Sequence, residues 1–168
     1  MTKIKGDTII MTVQEEVVEK LIQKNYTISF AESCTGGLCC ARLVNVTGTS
    51  QVLNESFITY ANEAKVKYLF VKEETIEKYG VVSEEVAYQM AEGVCRQSGA
   101  NVGVGITGVA GPGGGTEKKP VGMVCFGFCI DGETTVCTAQ FSDIGRNNIR
   151  NKSVEFVYEK LNELLEKK

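Results

Sequence analysis

Four segments hold side chains whose types and spacing could do chemistry. The first is Ala31-Glu-Ser-Cys-Thr-Gly-Gly37. Ser33 follows a strand-like run and precedes a helical pattern. At such a junction backbone N–H groups lack partners, and the helix dipole favours an oxyanion. Ser33 is therefore a candidate nucleophile, although Ser33 or Thr35 could equally serve as a helix cap. Cys34 is a rival, because a helix N-terminus also lowers a thiol pKa. The second segment is Thr59-Tyr-Ala-Asn-Glu-Ala-Lys65. A lysine made neutral by burial can take a proton from serine, and a tyrosine phenol can relay it. The plain alternative is a solvated lysine beside a half-buried tyrosine.

The third segment runs from Gly103 to Gly122 and holds eight of the chain's 18 glycines. An apolar strand enters a loop that is almost bare backbone, so a ligand could approach its N–H groups closely. No Gly-Lys-Ser/Thr closes it, so it is not a Walker A loop. A flexible surface loop is the alternative, and Lys118 and Lys119 add either positive potential or solvated charge. The fourth is Gly145-Arg-Asn-Asn-Ile-Arg150, where two arginines four apart share one helix face. Their guanidinium groups suit a phosphate or a surface ion pair.

The chain has no histidine. That removes Ser-His-Asp triads, Cys-His pairs and histidine-rich metal centres. Acid–base work is left to Asp, Glu, Lys, Tyr or Cys. Seven cysteines with no secretion signal suggest reduced thiols. Cys125 and Cys129 share a strand face with no second ligand pair, so no metal is expected. Net charge is −3, which gives no general attraction to nucleic acid or anionic membrane. The longest apolar runs, such as Val121–Ile130, are too short to span a bilayer. Met1–Gly6 has no apolar core like a signal peptide's, so a cytoplasmic location is expected.

These groups need elements to position them. Val13–Lys24 carries an apolar helical stripe at 13, 17, 18, 21 and 22. Tyr26–Phe30 reads as a strand and Thr35–Val46 as a helix. Ser56–Tyr60 reads as a strand and Glu63–Phe70 as a helix. Ser83 caps a helix that ends at Gly99. Asn101–Thr107 is an apolar strand. Val121–Ile130 and Glu133–Phe141 form a hairpin across Asp131-Gly132. Asn147–Leu165 closes the chain as a helix. The alternation predicts an α/β fold: a three-layer α/β/α sandwich on a mixed, mostly parallel sheet, in one domain over 1–168 with its core at about 13–166. The loops after Phe30 and Ile106 would then share the carboxyl edge of the sheet, where such sheets bind ligands.

Glu32-Ser-Cys-Thr-Gly-Gly37, Tyr60-Ala-Asn-Glu-Ala-Lys65, Gly80-Val-Val-Ser83, Thr107-Gly-Val-Ala-Gly-Pro-Gly-Gly-Gly-Thr116 and Lys119-Pro-Val-Gly122 occur in this order. Over residues 13–166 the chain resembles the CinA C-terminal domain family, which includes stand-alone nicotinamide-nucleotide amidases. The resemblance implies an α/β/α domain, often a homodimer. It implies hydrolysis of the carboxamide of nicotinamide mononucleotide to nicotinate mononucleotide and ammonia, with no cofactor. Motif by motif, the family's serine, tyrosine and lysine fall on Ser33, Tyr60 and Lys65. Substrate contacts are implied for Cys34, Thr35, Gly36, Thr107, Gly108, Gly111, Gly113, Gly114 and Arg146. The family's Gly-Asp-Arg appears as Asp143-Ile-Gly-Arg146, so Arg146 matches and the aspartate is displaced. The sequence lacks the large N-terminal domain of full-length CinA, so that domain's chemistry is not implied. A nucleotide-binding or regulatory module that does not hydrolyse is a second reading, and a thiol hydrolase using Cys34 a third.

Overall fold

A computed structural model describes residues 10–168 of the chain. The reading of Met1–Gly6 lies outside the described residues. Helix α1 (Val13–Lys24) opens with a capping box between Thr12 and Glu15 and closes on Asn25 in the left-handed region. Strand β1 (Ile28–Glu32) is buried along its whole length. Then come α2 (Leu38–Val44), the two-residue β2 (Phe57–Ile58), α3 (Asn62–Leu69), α4 (Glu73–Tyr79) and α5 (Glu84–Ser98). Strands β3 (Val102–Gly108), β4 (Met123–Ile130) and β5 (Glu133–Gln140) follow, and α6 (Arg146–Glu166) completes the chain.

The sheet order is β2-β1-β3-β4-β5. β1 pairs in parallel with β2 and with β3, while β3–β4 and β4–β5 are antiparallel. Four of the five strands therefore point the same way, yet the pairings divide evenly between the two kinds. Helices α1, α2 and α6 cover one face, and α5 with α3 and α4 covers the other. This is the α/β/α arrangement expected from the alternation of elements.

Strand periodicity sorts the core. Val102, Val104 and Ile106 of β3, with Val124, Phe126, Phe128 and Ile130 of β4, pack beneath α1, α2 and α6. The intervening positions include Gly103, Gly105 and Gly127, and they face α5. A Cβ at these three would stand 2.4, 2.6 and 2.3 Å from backbone oxygens of Ala91, Ala87 and Ala87. The absent side chains let α5 lie against the sheet. Two glycines of the glycine-rich stretch therefore serve helix packing rather than a ligand.

Gly93 plays the same part between helices. A Cβ there would lie 1.8 Å from the Leu69 carbonyl oxygen at the end of α3. Gly93→Ala is expected to cost about 3 kcal/mol by overpacking. For a domain of this size that lowers Tm by about 6–12 °C, as thermal unfolding will show. Because α3 carries Lys65, this contact also fixes the candidate site.

Several boundaries differ from the sequence reading. β1 starts at Ile28, not Tyr26, because its register pairs Ile28 with Val102 and Glu32 with Ile106. Asn25 closes α1, and the Thr27 N–H donates to the Asn101 side chain. Helix α2 starts at Leu38 rather than Thr35, since Gly36 and Gly37 turn the chain at φ 60° and 99°. Helix α4 was not expected; its described buried residue is Thr75, so no apolar stripe marks it.

Candidate active site

The three parallel strands β2, β1 and β3 deliver their carboxyl ends to one edge of the sheet. Ser33 follows β1, Thr59 and Tyr60 follow β2, and the glycine loop follows β3. The Thr59 N–H donates to the Glu32 carbonyl at 2.9 Å, and the Ser33 N–H to the Ile106 carbonyl at 3.2 Å. The ends are thus stitched together before any side chain acts.

Lys65 on α3 is 1% exposed. Its Nζ lies 3.0 Å from Ser33 Oγ, 2.6 Å from the Thr59 carbonyl oxygen and 3.1 Å from the Tyr60 carbonyl oxygen. No ion pair among the described residues involves it. Burial brings its pKa down from 10.5 to about 8, and the neighbouring Cys34 thiol opposes this. In the neutral amine two N–H bonds satisfy the two carbonyls, and the nitrogen lone pair is left for the Ser33 hydroxyl proton. That is the arrangement of a general base beside a nucleophile.

Tyr60 enters through two different atoms. Its carbonyl receives Lys65, while its exposed phenol oxygen accepts from Arg146 Nη2 at 3.0 Å. Arg146 Nη1 donates to the Gly111 carbonyl at 2.8 Å. One chain of contacts therefore runs from Ser33 through Lys65, Tyr60 and Arg146 to the glycine loop. Lys119 anchors that loop from the other side by donating to the Tyr79 carbonyl at the end of α4.

Other sequence-nominated residues are placed differently. The Cys34 side chain turns into the hydrophobic core, and burial pushes its thiol up to about 11. Thr35 is fully buried, and its hydroxyl has no partner among the described residues. The Thr107 hydroxyl donates to the Val81 carbonyl at 2.9 Å, tying β3 to the start of α5. Cys34, Thr35 and Thr107, named for substrate contact by the resemblance, thus turn their side chains inward and bring backbone groups to this edge. Gly36 holds the turn after Ser33, with its N–H on the Ser33 carbonyl. Gly108 ends β3 against Val124. Gly113 and Gly114 are exposed.

Two residues at this edge have roles that the sequence reading did not give them. Glu32 is 1% exposed, and its carboxylate accepts from the N–H groups of Gly37, Cys39 and Cys40 at 3.0, 3.2 and 2.9 Å. It caps α2 from the adjacent strand, a favourable place for negative charge. Neither Ser33 nor Thr35 caps that helix. The helix-start donors expected to hold an oxyanion are therefore taken. The N–H groups of Cys34 and Thr35, which donate to no described residue, remain. Replacing Glu32 by Gln leaves one acceptor oxygen for three donors. The variant is expected to lose about 2 kcal/mol of stability, read from the urea midpoint.

The second is Arg150. Its Nε donates to the Cys34 carbonyl at 3.0 Å and its Nη2 to the Thr35 carbonyl at 3.1 Å. The arginine pair on α6 thus divides its work: Arg150 clamps the turn after Ser33, and Arg146 joins Tyr60 to the glycine loop.

Comparison with known proteins identifies the family and the fold. The CinA C-terminal domain matches residues 10–165. A protein of Alkaliphilus oremlandii named for competence-damage induction is 53% identical over 148 residues, covering 88% of this chain and 36% of its own. A CinA-like protein of Kosmotoga olearia is 51% identical over 143 residues, covering 84% of this chain and 34% of its own. The chain thus spans well under half the length of these relatives. Among crystal structures, a CinA superfamily protein of Klebsiella pneumoniae superposes with a TM-score of 0.89 at 29% identity, covering 93% of this chain and 97% of its own. The competence/damage inducible protein CihA of Agrobacterium tumefaciens does so with a TM-score of 0.83 at 38% identity, covering 92% and 97%. The chain belongs to the CinA C-terminal domain family.

Proposed function

We propose that this site hydrolyses the carboxamide of nicotinamide mononucleotide, releasing ammonia and nicotinate mononucleotide. The observation that carries the reading is the 3.0 Å contact of Ser33 Oγ with a buried lysine whose other partners are both carbonyls. Lys65 takes the Ser33 proton, and Oγ attacks the carboxamide carbon. The N–H groups of Cys34 and Thr35 are the donors left for the resulting oxyanion. The Lys65 ammonium returns the proton to the departing nitrogen, and ammonia leaves an acyl-serine. Water, deprotonated by the same amine, then cleaves the ester.

Tyr60 and Arg146 act at the far end of the substrate. A guanidinium has five N–H donors, and the contacts to Gly111 and Tyr60 leave donors for a phosphate. The glycine loop forms the adjacent wall. A direct relay by the Tyr60 phenol is less favoured, because that oxygen is held by Arg146. The reaction needs no metal or cofactor. The same proposal includes a homodimer acting in the cytoplasm; among the described residues no helix is long and apolar enough to cross a membrane.

The test is ammonia release from nicotinamide mononucleotide by the purified protein, with and without a chelator. Equal amounts of ammonia and nicotinate mononucleotide, unaffected by chelator, are expected. Nucleotide binding without ammonia would overturn the amidase reading in favour of a binding module.

A further inference from the structure

Seven cysteines are distributed through the fold, and two meet away from the candidate active site. Cys95 is on α5 and Cys129 is on β4. Gly103 and Cys129 are direct partners in the antiparallel β3–β4 pair, so their side-chain positions share a face. Gly103 has no side chain, and Cys95 Sγ fills the space: it lies 2.6 Å from where a Gly103 Cβ would stand. Directly opposed Cβ positions in such a pair are about 4.5–5.5 Å apart. Cys95 sulfur therefore occupies the place of a cross-strand partner to Cys129. It also lies 4.0 Å from the Cys129 carbonyl oxygen.

Both residues line one surface cleft of about 560 Å³. Lys72 and Arg96 line it too, with Glu92 as the acidic member. Cys95 is partly exposed, and Cys129, at 4% exposed, meets solvent through this cleft; Cys34 and Cys39 belong instead to the main hydrophobic core. We propose that Cys95 and Cys129 form a redox-active dithiol, open to small-molecule disulfides through this cleft and closing to an intramolecular disulfide.

The two thiols are unequal. A hydrogen bond from Cys95, helped by the Thr134 hydroxyl and the Gly132 N–H, lowers the Cys129 pKa, while the Cys95 pKa is raised by the same pairing and by burial. Cys129 is therefore the attacking thiolate. Its sulfur attacks a small-molecule disulfide, forms a mixed disulfide and releases one thiolate. Cys95 then gives up its proton, and its sulfur attacks Cys129 Sγ. The Cys95–Cys129 bond forms as the second small thiolate leaves. The protein loses two protons and two electrons, and the small-molecule disulfide takes up both to become two thiols.

The test treats the native protein with oxidised glutathione, then reads intact mass and disulfide-linked peptides. The expected product is lighter by two hydrogens, carries a Cys95–Cys129 link, and regains its mass on reduction. Cys95→Ser is expected to stop at one glutathione on Cys129, and Cys129→Ser to form no internal link. The proposal is overturned if wild type retains glutathione at either cysteine, links a different pair, or does not react. The wild-type peptide map decides this even where a variant folds poorly.

Discussion

Ser33→Ala is expected to lower ammonia release from nicotinamide mononucleotide by about 10⁴-fold or more, the usual consequence of removing a nucleophile from a coupled set. The fold is expected to survive. Among the described residues the Ser33 side chain has one hydrogen-bond partner, Lys65 Nζ. The bonds that shape the turn come from its backbone, which receives the Gly36 N–H and donates to Ile106. Unchanged circular dichroism with lost turnover is the predicted pair of results. Wild-type turnover would remove Ser33 from the mechanism. Cys34→Ser is the companion variant. Its thiol is buried and pushed up to about 11, so little thiolate exists near neutral pH, and full activity is expected.

Lys65→Met is expected to lower turnover by about 10³-fold, the scale of a lost general base. Its stability signature is separate. Lysine in the unfolded chain titrates near 10.5, and in the fold near 8. Between these values the unfolded chain binds the proton and the folded chain does not, so stability rises with pH across the window. Below about 8 the folded protein carries the full cost of holding a buried cation, about 3 kcal/mol. At pH 7, removing this cost is offset by leaving the Thr59 and Tyr60 carbonyls unpaired, at about 1–3 kcal/mol each. Wild type and Lys65→Met should therefore have similar urea midpoints at pH 7. Between pH 7 and 10.5, wild type should gain about 3 kcal/mol relative to the variant. A parallel pH dependence in the two proteins would show that Lys65 has an ordinary pKa.

Local signals in the sequence located elements well where the determinant is itself local. The apolar stripe of α1 lies between a capping box and an αL asparagine. Ser83 accepts the Val86 N–H at the start of α5. Asp131 and Gly132 adopt φ 51° and 84° at the hairpin they mark. Tertiary determinants were harder to see. Gly103 and Gly105 look like members of a ligand loop because they adjoin one, but the helix lying over them explains them. Glu32 has no local signature as a cap, because it reaches α2 from a strand whose position depends on its neighbours in the sheet.

The site was legible as chemistry before it was legible as geometry. Without histidine, serine with lysine was an economical nucleophile and base, and the family resemblance pointed to Ser33 and Lys65. No spacing rule joins residues 32 positions apart. Parallel pairing of β1 with β2 brings them together, and Gly93 fixes the helix bearing Lys65. The roles within the polar network were least legible. Thr107, Thr35 and Cys34 turn their side chains inward, which residue type alone does not foretell.

The most direct measurement of the mechanism is the pH profile of kcat/KM for ammonia release from nicotinamide mononucleotide. A neutral Lys65 acting on Ser33 requires activity to rise with pH and level off, with a midpoint near the amine's value of about 8. Below it, each unit of pH should lower the rate about tenfold. Activity that stays level from pH 6 to 9 would contradict the lysine base, whatever the rates of the variants.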